Sequence, residues 1–198
     1  PWMVAFALRN DGWYLRQDII WSKPNPMPES VNDRCTKSHE YIFLLTKNSK
    51  YFFDHNLIKE PVAESTIIRA KHKNNHLSRK DGGDASNQCG LTPEQQDKYY
   101  AKINETALRN KRSVWTITTR SFKGAHFATF PEDLIKPCIL AGCPEEGIVL
   151  DPFFGAGTTG LVSLKLNRQF LGIELNPDYV EIAKARIASL PINLSSFQ

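Results

Sequence analysis

A glycine-containing turn near the end of the chain has the residue types and spacing best suited to chemistry. Residues 150–160 read LDPFFGAGTTG and follow a short apolar run at 147–150. Gly155 and Gly157 permit positive φ angles and let a ligand approach the backbone closely. Asp151 ends the predicted strand, at the sheet edge where α/β proteins bind ligands. The pattern favours a nucleotide-like ligand, and a ligand-free βα turn is the alternative for a lone pair of glycines.

The two threonines after the glycines begin a helix-like pattern. We expect Thr158 and Thr159 to cap this helix, because its first backbone N–H groups have no partner within the helix. Helix N-termini also attract anionic groups, here a ligand carboxylate. The turn and the helix start therefore predict one binding site.

A second apolar strand, residues 169–173, ends in Glu174. An acid about twenty residues beyond the glycines stands where ribose hydroxyls are bound in nucleotide-binding folds. A P-loop is excluded because no Gly-Lys-Ser/Thr follows the turn. A nicotinamide oxidoreductase is a weaker alternative: residues 155–160, GAGTTG, have the G-x-G-x-x-G spacing, but the preceding Asp-Pro-Phe is foreign to that class.

Composition indicates a globular protein with a basic charge balance. The 198 residues are 41% hydrophobic and 23% charged, with a net charge of +4, which fits a nucleic-acid partner without identifying one. No apolar run approaches a membrane span and no signal peptide is present, so we expect no membrane association and a cytoplasmic location. The chain starts with Pro1 inside an apolar segment, which suggests a fragment of something longer.

The chain offers little support for a metal site. His72, His76 and Cys89 are the only combination worth considering, and they lie in a polar, aperiodic region. The four cysteines form no C-x-x-C pair, so reduced thiols are the simpler interpretation. We therefore predict no metal.

The predicted elements alternate between helix and strand. Prolines in the KPNPMP segment exclude a helix or central strand there, so a rigid loop is expected. The apolar patterns predict a helix at 1–11 closed by Gly12, strands at 13–21 and 40–46, and helices at 132–141 and 177–190.

Residues 61–112 differ from the rest because their hydrophobic periodicity fades. Between residues 64 and 81 the chain has five basic residues and no acid. A solvated surface segment is one interpretation, and an insertion that contacts a polyanion is the other.

Four segments together resemble the DNA amino-methyltransferases: DPFFGAGTTG, FLGIELNPDYVEIAKARI, HFATFPEDLIKP and IIWSKPNPMPES. The resemblance is to the permuted group, in which the S-adenosylmethionine half follows the catalytic half. It implies an α/β, Rossmann-like methyltransferase fold that is incomplete at the N-terminus. Residues 1–60 would end the catalytic half, 61–112 would be the target-recognition insertion, and 113–198 would bind the cofactor.

By position, the resemblance implies two groups of site residues. The turn would hold the methionine part of S-adenosylmethionine, Glu174 the ribose hydroxyls, and Asn176 would line the adenosine pocket. The cofactor group comprises Asp151, Pro152, Phe153, Gly155, Gly157, Thr158, Thr159, Glu174 and Asn176. It also includes Thr129 and Phe130, because the resemblance implies that the segment with His126, Phe127 and Pro131 would cover the methionine end. The group facing DNA and its target base comprises Trp21, Lys23, Asn25, Lys71, Lys73 and Lys80.

Two of these assignments have a structural alternative. Trp21 at a strand end is equally typical of a core residue. Phe130 and Pro131 also fit an ordinary helix entry, in which the phenylalanine packs and the proline starts the helix. The sequence leaves both alternatives open.

The family's catalytic tetrapeptide, Asp/Ser-Pro-Pro-aromatic, does not occur in the 198 residues. The nearest string, Asp151 to Phe154, belongs to the cofactor turn and has one proline. In the permuted order the tetrapeptide would lie upstream of Pro1, so we assign no catalytic residue and expect the chain alone to be inactive. We also expect the strands at 13–21 and 40–46 not to abut the strand at 147–151.

The resemblance implies a site-specific DNA methyltransferase of the restriction–modification type. It would transfer a methyl group from S-adenosylmethionine to adenine N6 or cytosine N4 in double-stranded DNA. An upstream catalytic segment, from the same protein or a second chain, would be its partner, and a homodimer is also allowed. A non-catalytic DNA-binding remnant is the alternative: the absent tetrapeptide favours it, and the ribose acid Glu174 argues against it.

Overall fold

The computed structural model describes residues 1–71, 93–119 and 129–190. They form two compact units, one of Pro1–Leu57 with Arg112–Gln198 and one of Ile58–Lys111. The elements of the first unit are α1 (Trp2–Asn10), β1 (Tyr14–Ser22), β2 (His39–Thr46), β5 (Val114–Thr116), α4 (Glu132–Gly142), β6 (Ile148–Asp151), α5 (Thr158–Lys165), β7 (Gln169–Gly172) and α6 (Pro177–Ala188). Those of the second are β3 (Glu60–Pro61), α2 (Glu64–Lys71), α3 (Pro93–Thr106) and β4 (Leu108–Arg109).

The first sheet of the larger unit has the strand order β2-β1-β5. β1 runs antiparallel to β2 and parallel to β5, with Trp21 opposite Glu40 on one side and Trp115 on the other. Trp21, Trp115 and Leu134 form a buried cluster against which Phe130 packs. The predicted helix and the two predicted strands of the N-terminal segment are confirmed, and Gly12 follows α1 with φ +94°.

The second sheet pairs β6 with β7 in parallel, with Val149 opposite Phe170 and Leu150 opposite Leu171. α4 and α5 pack on the face that carries Val149, where Ile139, Cys143 and Val162 form a core cluster. Side chains alternate between the faces of a strand, so their neighbours point the other way. The side chains on that opposite face are largely exposed: Ile148 66%, Leu150 58%, Leu171 58% and Ile173 51%.

The two sheets share no ladder within the residues that the structure describes. β1 pairs with β2 on one side and with β5 on the other, and β6 pairs with β7 alone. The expectation that the strands of the first half do not abut the strand at 147–151 is therefore confirmed.

The smaller unit combines a short antiparallel pair, β3 and β4, with helices α2 and α3. Val62, Ala70 and Ile103 form its core cluster. The Arg109 guanidinium lies 3.0 Å from the Glu60 carboxylate and links the two strands. The unit begins and ends within a few residues of the interval 61–112, whose target-recognition role stays a prediction.

Among residues 1–71, 93–119 and 129–190, no helix has the length and apolar character needed to cross a bilayer. The longest, α3, has 14 residues, against about 20 for a membrane span. The same ranges contain no cluster of three or more His, Cys, Asp or Glu side chains suited to a metal ion. His72, His76 and Cys89 lie outside them.

Candidate cofactor site

Asp151 ties together the two ends of the turn between β6 and α5. Its Oδ1 accepts the Phe153 backbone N–H at 3.0 Å, and its Oδ2 accepts the Thr159 hydroxyl at 2.6 Å. The Ile173 backbone N–H donates to the Asp151 carbonyl at 2.9 Å, which carries the pairing with β7 past the strand end. The carboxylate predicted to bind a ligand therefore also fixes the shape of its own turn.

Gly155 and Gly157 both have a positive φ angle, which favours glycine, but the space around them differs. Gly155 has φ +51°, and a Cβ there would have the Phe153 carbonyl oxygen, at 4.0 Å, as its nearest contact. Gly157 has φ +76°, and its Cβ would lie 2.8 Å from the Ala183 Cβ on α6. Gly155 therefore leaves open space for a ligand, whereas Gly157 lets α6 approach the turn.

The Phe154 ring fills a slot between two further glycines. A Cβ on Gly160 of α5 would lie 2.7 Å from Phe154 Cζ, and one on Gly172 of β7 would overlap the same ring. Phe154 also stacks on Phe170, with 5.4 Å between ring centroids and an interplanar angle of 7°. The ring thus holds the turn against both the helix and the strand that flank it.

Glu174 connects the end of β7 to the glycine turn. Its Oε2 accepts the Gly155 N–H at 2.7 Å, and its Oε1 accepts the Asn176 N–H at 2.9 Å. The hydrogen bond from Asn176, followed by that from Gly155, lowers the pKa of Glu174 below its ordinary value. The carboxylate is therefore ionised at neutral pH, and each oxygen keeps acceptor capacity for the hydroxyl groups of a ligand.

The expectation that Thr158 and Thr159 cap α5 is wrong. Gly157 is the N-cap of α5 and no side chain caps this helix end. Thr159 donates to Asp151 instead, and the Thr158 hydroxyl accepts from Arg186 at 3.2 Å. Both threonines are buried, so their hydroxyls have their partners inside the protein.

Asn176 has a structural role as a helix cap, which the sequence pattern did not predict. Its side-chain oxygen accepts the Asp178 N–H at 2.9 Å and so caps α6, with Pro177 in the first turn. A capping asparagine fixes where the helix begins. Its place in an adenosine pocket stays a prediction.

Two apolar side chains beside the turn are almost fully exposed. Phe153 is 89% and Leu175 is 97% exposed. They lie next to Asp151 and Glu174 in the sequence, so they give the polar site an apolar border. Leu175 was not among the predicted residues, although a large apolar residue directly after the acid was a usable signal.

Phe130 and Pro131 match the helix-entry alternative. Phe130 packs against the buried tryptophan cluster, and Pro131 is the N-cap of α4. Thr129 is half-buried beside them. His126 and Phe127 lie outside the described residues, so the cover over a methionine end stays a prediction for this segment.

Trp21 lies in the core, in agreement with the alternative that it is a core residue at a strand end. It is 5% exposed and packs with Trp115 and Leu134. Its indole N–H donates to the Ile117 carbonyl at 2.8 Å. The ring is therefore engaged within the protein.

Lys23 and Asn25 are the polar residues at the end of β1. The Lys23 ammonium lies 4.4 Å from the centre of the Trp21 ring and pairs with the Glu40 carboxylate. The Asn25 side chain accepts the Thr119 N–H at 3.0 Å and donates to the Thr119 carbonyl at 3.3 Å. These contacts order the proline-rich loop, and the role of both residues at a target base stays a prediction.

Of the three predicted DNA-contacting lysines, the structure describes one. Lys71 is exposed at the end of α2. Lys73 and Lys80 lie outside the described residues. The structure therefore leaves the polyanion contact of this segment as a prediction.

The geometry of the turn defines a class of protein. The unit consists of a strand, a glycine turn, a helix and a second parallel strand that ends in an acid. This α/β arrangement is typical of sites for a nucleoside-type cofactor. Residues 3–185 match the DNA methylase family of N6/N4 methyltransferases. The chain belongs to this family.

Curated relatives are similar over nearly the whole chain. The type II methyltransferase M.Cfr9I of Citrobacter freundii is 45% identical over 194 residues, which are 98% of this chain and 51% of that protein. The type II methyltransferase M.SmaI of Serratia marcescens is 46% identical over 187 residues, which are 94% of this chain and 51% of that protein. The chain spans about half the length of the curated relatives it matches.

Solved structures show the same fold. The crystal structure of an M1.HpyAVI–SAM complex has a TM-score of 0.58 at 24% identity and covers 95% of this chain and 69% of that chain. The PvuII DNA methyltransferase, described as cytosine-N4-specific, has a TM-score of 0.62 at 18% identity, with 98% of this chain and 59% of that chain covered. The predicted α/β methyltransferase fold is confirmed.

Proposed function

We propose that the chain forms the cofactor-binding part of a site-specific DNA methyltransferase that uses S-adenosylmethionine. The methyl acceptor is an exocyclic amine, adenine N6 or cytosine N4, in double-stranded DNA. Family membership and similarity to type II methyltransferases support this proposal. Its partners are DNA and a polypeptide that carries the Asp/Ser-Pro-Pro-aromatic tetrapeptide.

One observation carries the cofactor proposal: the Glu174 carboxylate lies within 2.7 Å of the Gly155 N–H. The acid that would bind ribose hydroxyls thus touches the turn that would bind the rest of the ligand. A protein that only binds DNA needs no acid at this place. The contact therefore favours a nucleoside cofactor over a non-catalytic DNA-binding remnant.

The residues at the turn fit S-adenosylmethionine in chemistry. Ionised Glu174 accepts hydrogen bonds from ribose hydroxyls. The backbone at Gly155 is open to close approach, and exposed Leu175 and Phe153 offer apolar surface to an adenine ring. Asp151 keeps acceptor capacity for the ammonium of the methionine part.

In the transfer step these residues act by orientation. S-adenosylmethionine, when bound, supplies a methyl group activated by its sulfonium. With the cofactor held at the turn, the bond from the target nitrogen to the methyl carbon would form as the carbon–sulfur bond breaks, which would release S-adenosylhomocysteine and a proton from the amine. Holding the cofactor in line with the amine is the contribution of Asp151, Gly155 and Glu174. Because the tetrapeptide does not occur in this chain, we propose that its partner polypeptide receives that proton.

Calorimetry with S-adenosylmethionine tests the cofactor proposal. Glu174→Ala should weaken binding by about tenfold or more, because the ribose hydroxyls and the Gly155 N–H lose their acceptor. Glu181→Ala is the matched control, since this acid is exposed on α6 and pairs with Lys184. Equal affinity of the wild type and the Glu174 variant would refute the assignment.

Salt-dependent binding tests DNA as the partner. Replacing Lys71, Lys73 and Lys80 by glutamine should flatten the plot of log affinity against log salt by up to about three units. A second triple variant at Lys136, Lys165 and Lys184 removes the same charge from α4, α5 and α6. Equal slopes in the two variants would show that residues 61–112 do not make the phosphate contacts.

A further inference from the structure

We infer that Arg186 is a positioning residue that holds the glycine turn from the side of α6. This inference rests on the proposed function and deepens it. Arg186 fixes the conformation of the turn that receives the methionine part of the cofactor, whereas Glu174 binds the adenosine part.

Arg186 contacts both sides of Gly157. Its Nη1 donates to the Ala156 carbonyl and to the Thr158 hydroxyl, the latter at 3.2 Å. Ala183, one helical turn earlier, lies where a Cβ on Gly157 would collide with it. One face of α6 thus contacts the turn through a small apolar residue and a charged one.

The surroundings of Arg186 connect the turn to a second segment. Burial lowers the pKa of Arg186, and attraction to the Glu132 carboxylate raises it, so the guanidinium stays charged. Glu132 begins α4, directly after Phe130 and Pro131. The same cation therefore contacts the glycine turn and is attracted by the carboxylate that follows the segment predicted to cover the methionine end.

A second arginine of the unit provides a matched comparison. The Arg168 guanidinium donates to the Cys143 carbonyl at 3.3 and 3.2 Å and to the Leu166 carbonyl. It is 5% exposed and joins the end of α4 to the start of β7. Both arginines donate to backbone carbonyls, but Arg168 binds Cys143 and Leu166, which lie outside the glycine turn. Its substitution therefore distinguishes a general loss of packing from a loss at the site.

Hydrogen exchange of the 198-residue chain without ligand tests the inference directly. The Gly155 N–H bonds to Glu174 and the Gly157 N–H bonds to the Phe154 carbonyl at 2.9 Å, so their exchange reports the order of the turn. Arg186→Gln should speed exchange at both amides by about tenfold. Arg168→Gln should leave both within about twofold of the wild type.

Two ligands then separate positioning from general destabilisation. S-adenosylhomocysteine has the amino-acid part, and 5′-methylthioadenosine lacks it. Arg186→Gln should weaken the first by about tenfold and the second by less than twofold, and Arg186→Lys should recover part of the loss. A variant that is merely less folded would lose affinity for both ligands equally.

Each outcome has one consequence. Unchanged exchange at Gly155 and Gly157 in Arg186→Gln overturns the inference, whatever the ligands do. Faster exchange with equal loss for both ligands also overturns it, because the turn then matters to the whole site. If the wild type binds neither ligand, the proposed cofactor function fails, while the exchange data still decide the position of the turn.

Discussion

The two faces of the β6–β7 sheet differ in how completely they are covered. On one face, α4 and α5 pack around Val149, which is partly buried against a core cluster, and α6 contacts the adjoining turn. On the other, Ile148, Leu150 and Leu171 are more than half exposed. The covered face also holds the hydrogen bonds that Asp151, Glu174 and Arg186 make to the turn.

This difference separates what the chain organises locally from what needs another surface. The turn is held by contacts from α5, β7 and α6, all within about forty residues of sequence. Parallel sheets are normally buried on both faces, so the open face is expected to meet apolar residues from elsewhere. We expect a polypeptide with the tetrapeptide to cover it, since the chain spans about half of its relatives.

The largest expected effect is on methyl transfer itself. The 198-residue chain, incubated with radiolabelled S-adenosylmethionine and mixed-sequence DNA, should give no transfer above a no-enzyme control. Adding the part of M.Cfr9I outside the matched region should restore transfer if that part carries the tetrapeptide. The same polypeptide with the tetrapeptide's aromatic residue changed to alanine is the control. Transfer by the chain alone would show that its own residues complete the site.

Opposite faces of one strand should respond differently to the same substitution. Val149→Asp should lower the free energy of unfolding by about 3 kcal/mol, because it buries a carboxylate against α4 and α5. Leu150→Asp should change it by less than about 0.5 kcal/mol in the chain alone, yet impair association with the added polypeptide. Urea unfolding measures the first effect and co-purification the second. Similar losses of stability in both variants would contradict the difference between the faces.

The covered side should be sensitive to a single methyl group at the turn. Gly157→Ala should cost about 2 kcal/mol of unfolding free energy, from its positive φ and the overlap with Ala183. Gly142→Ala, with nothing within 4 Å of the added Cβ, should be neutral or stabilise α4 by about 0.5 kcal/mol. Thermal unfolding compares the two. A harmless Gly157→Ala would mean that α6 does not press on the turn.

The smallest effect concerns pH. The pKa of Glu174 lies below its ordinary value of 4.5. Ionised Glu174 therefore stabilises the fold fully at pH values above 4.5, and this stabilisation is lost as the pH falls through the lowered pKa. S-adenosylmethionine affinity should therefore change by less than about twofold between pH 7 and 5 from this group. Titrations of the wild type and Glu174→Gln measure it. A fall in affinity between pH 7 and 6 that the glutamine variant lacks would contradict a lowered pKa.

Local patterns predicted the elements and part of the site. Hydrophobic periodicity gave the strand before Asp151, the helix after the glycines and the strand before Glu174, because each depends on residues close in sequence. The glycines at 155 and 157 followed from the turn they must form. The elements on either side of the turn and the need for glycine within it were therefore predictable from the sequence.

Contacts between residues that are distant in sequence could not be predicted from such local patterns. The Arg186 side chain reaches a carbonyl 30 positions earlier, and nothing in the helical sequence pattern around it distinguishes this half-buried arginine from the exposed cations of the chain. The threonines were expected at a cap, but burial directs their hydroxyls to Asp151 and Arg186. Trp21 could be placed in the core only once β5 brought Trp115 beside it.

The slot around Phe154 restricts how this sequence can change over evolution. Its ring occupies the volume that side chains at Gly160 and Gly172 would need, so the three positions share one fixed space. A larger residue at either glycine becomes acceptable only after the ring has been replaced by something smaller. Related sequences should therefore alter these positions together, and a combination of phenylalanine with a bulky residue at 160 or 172 should be rare among them.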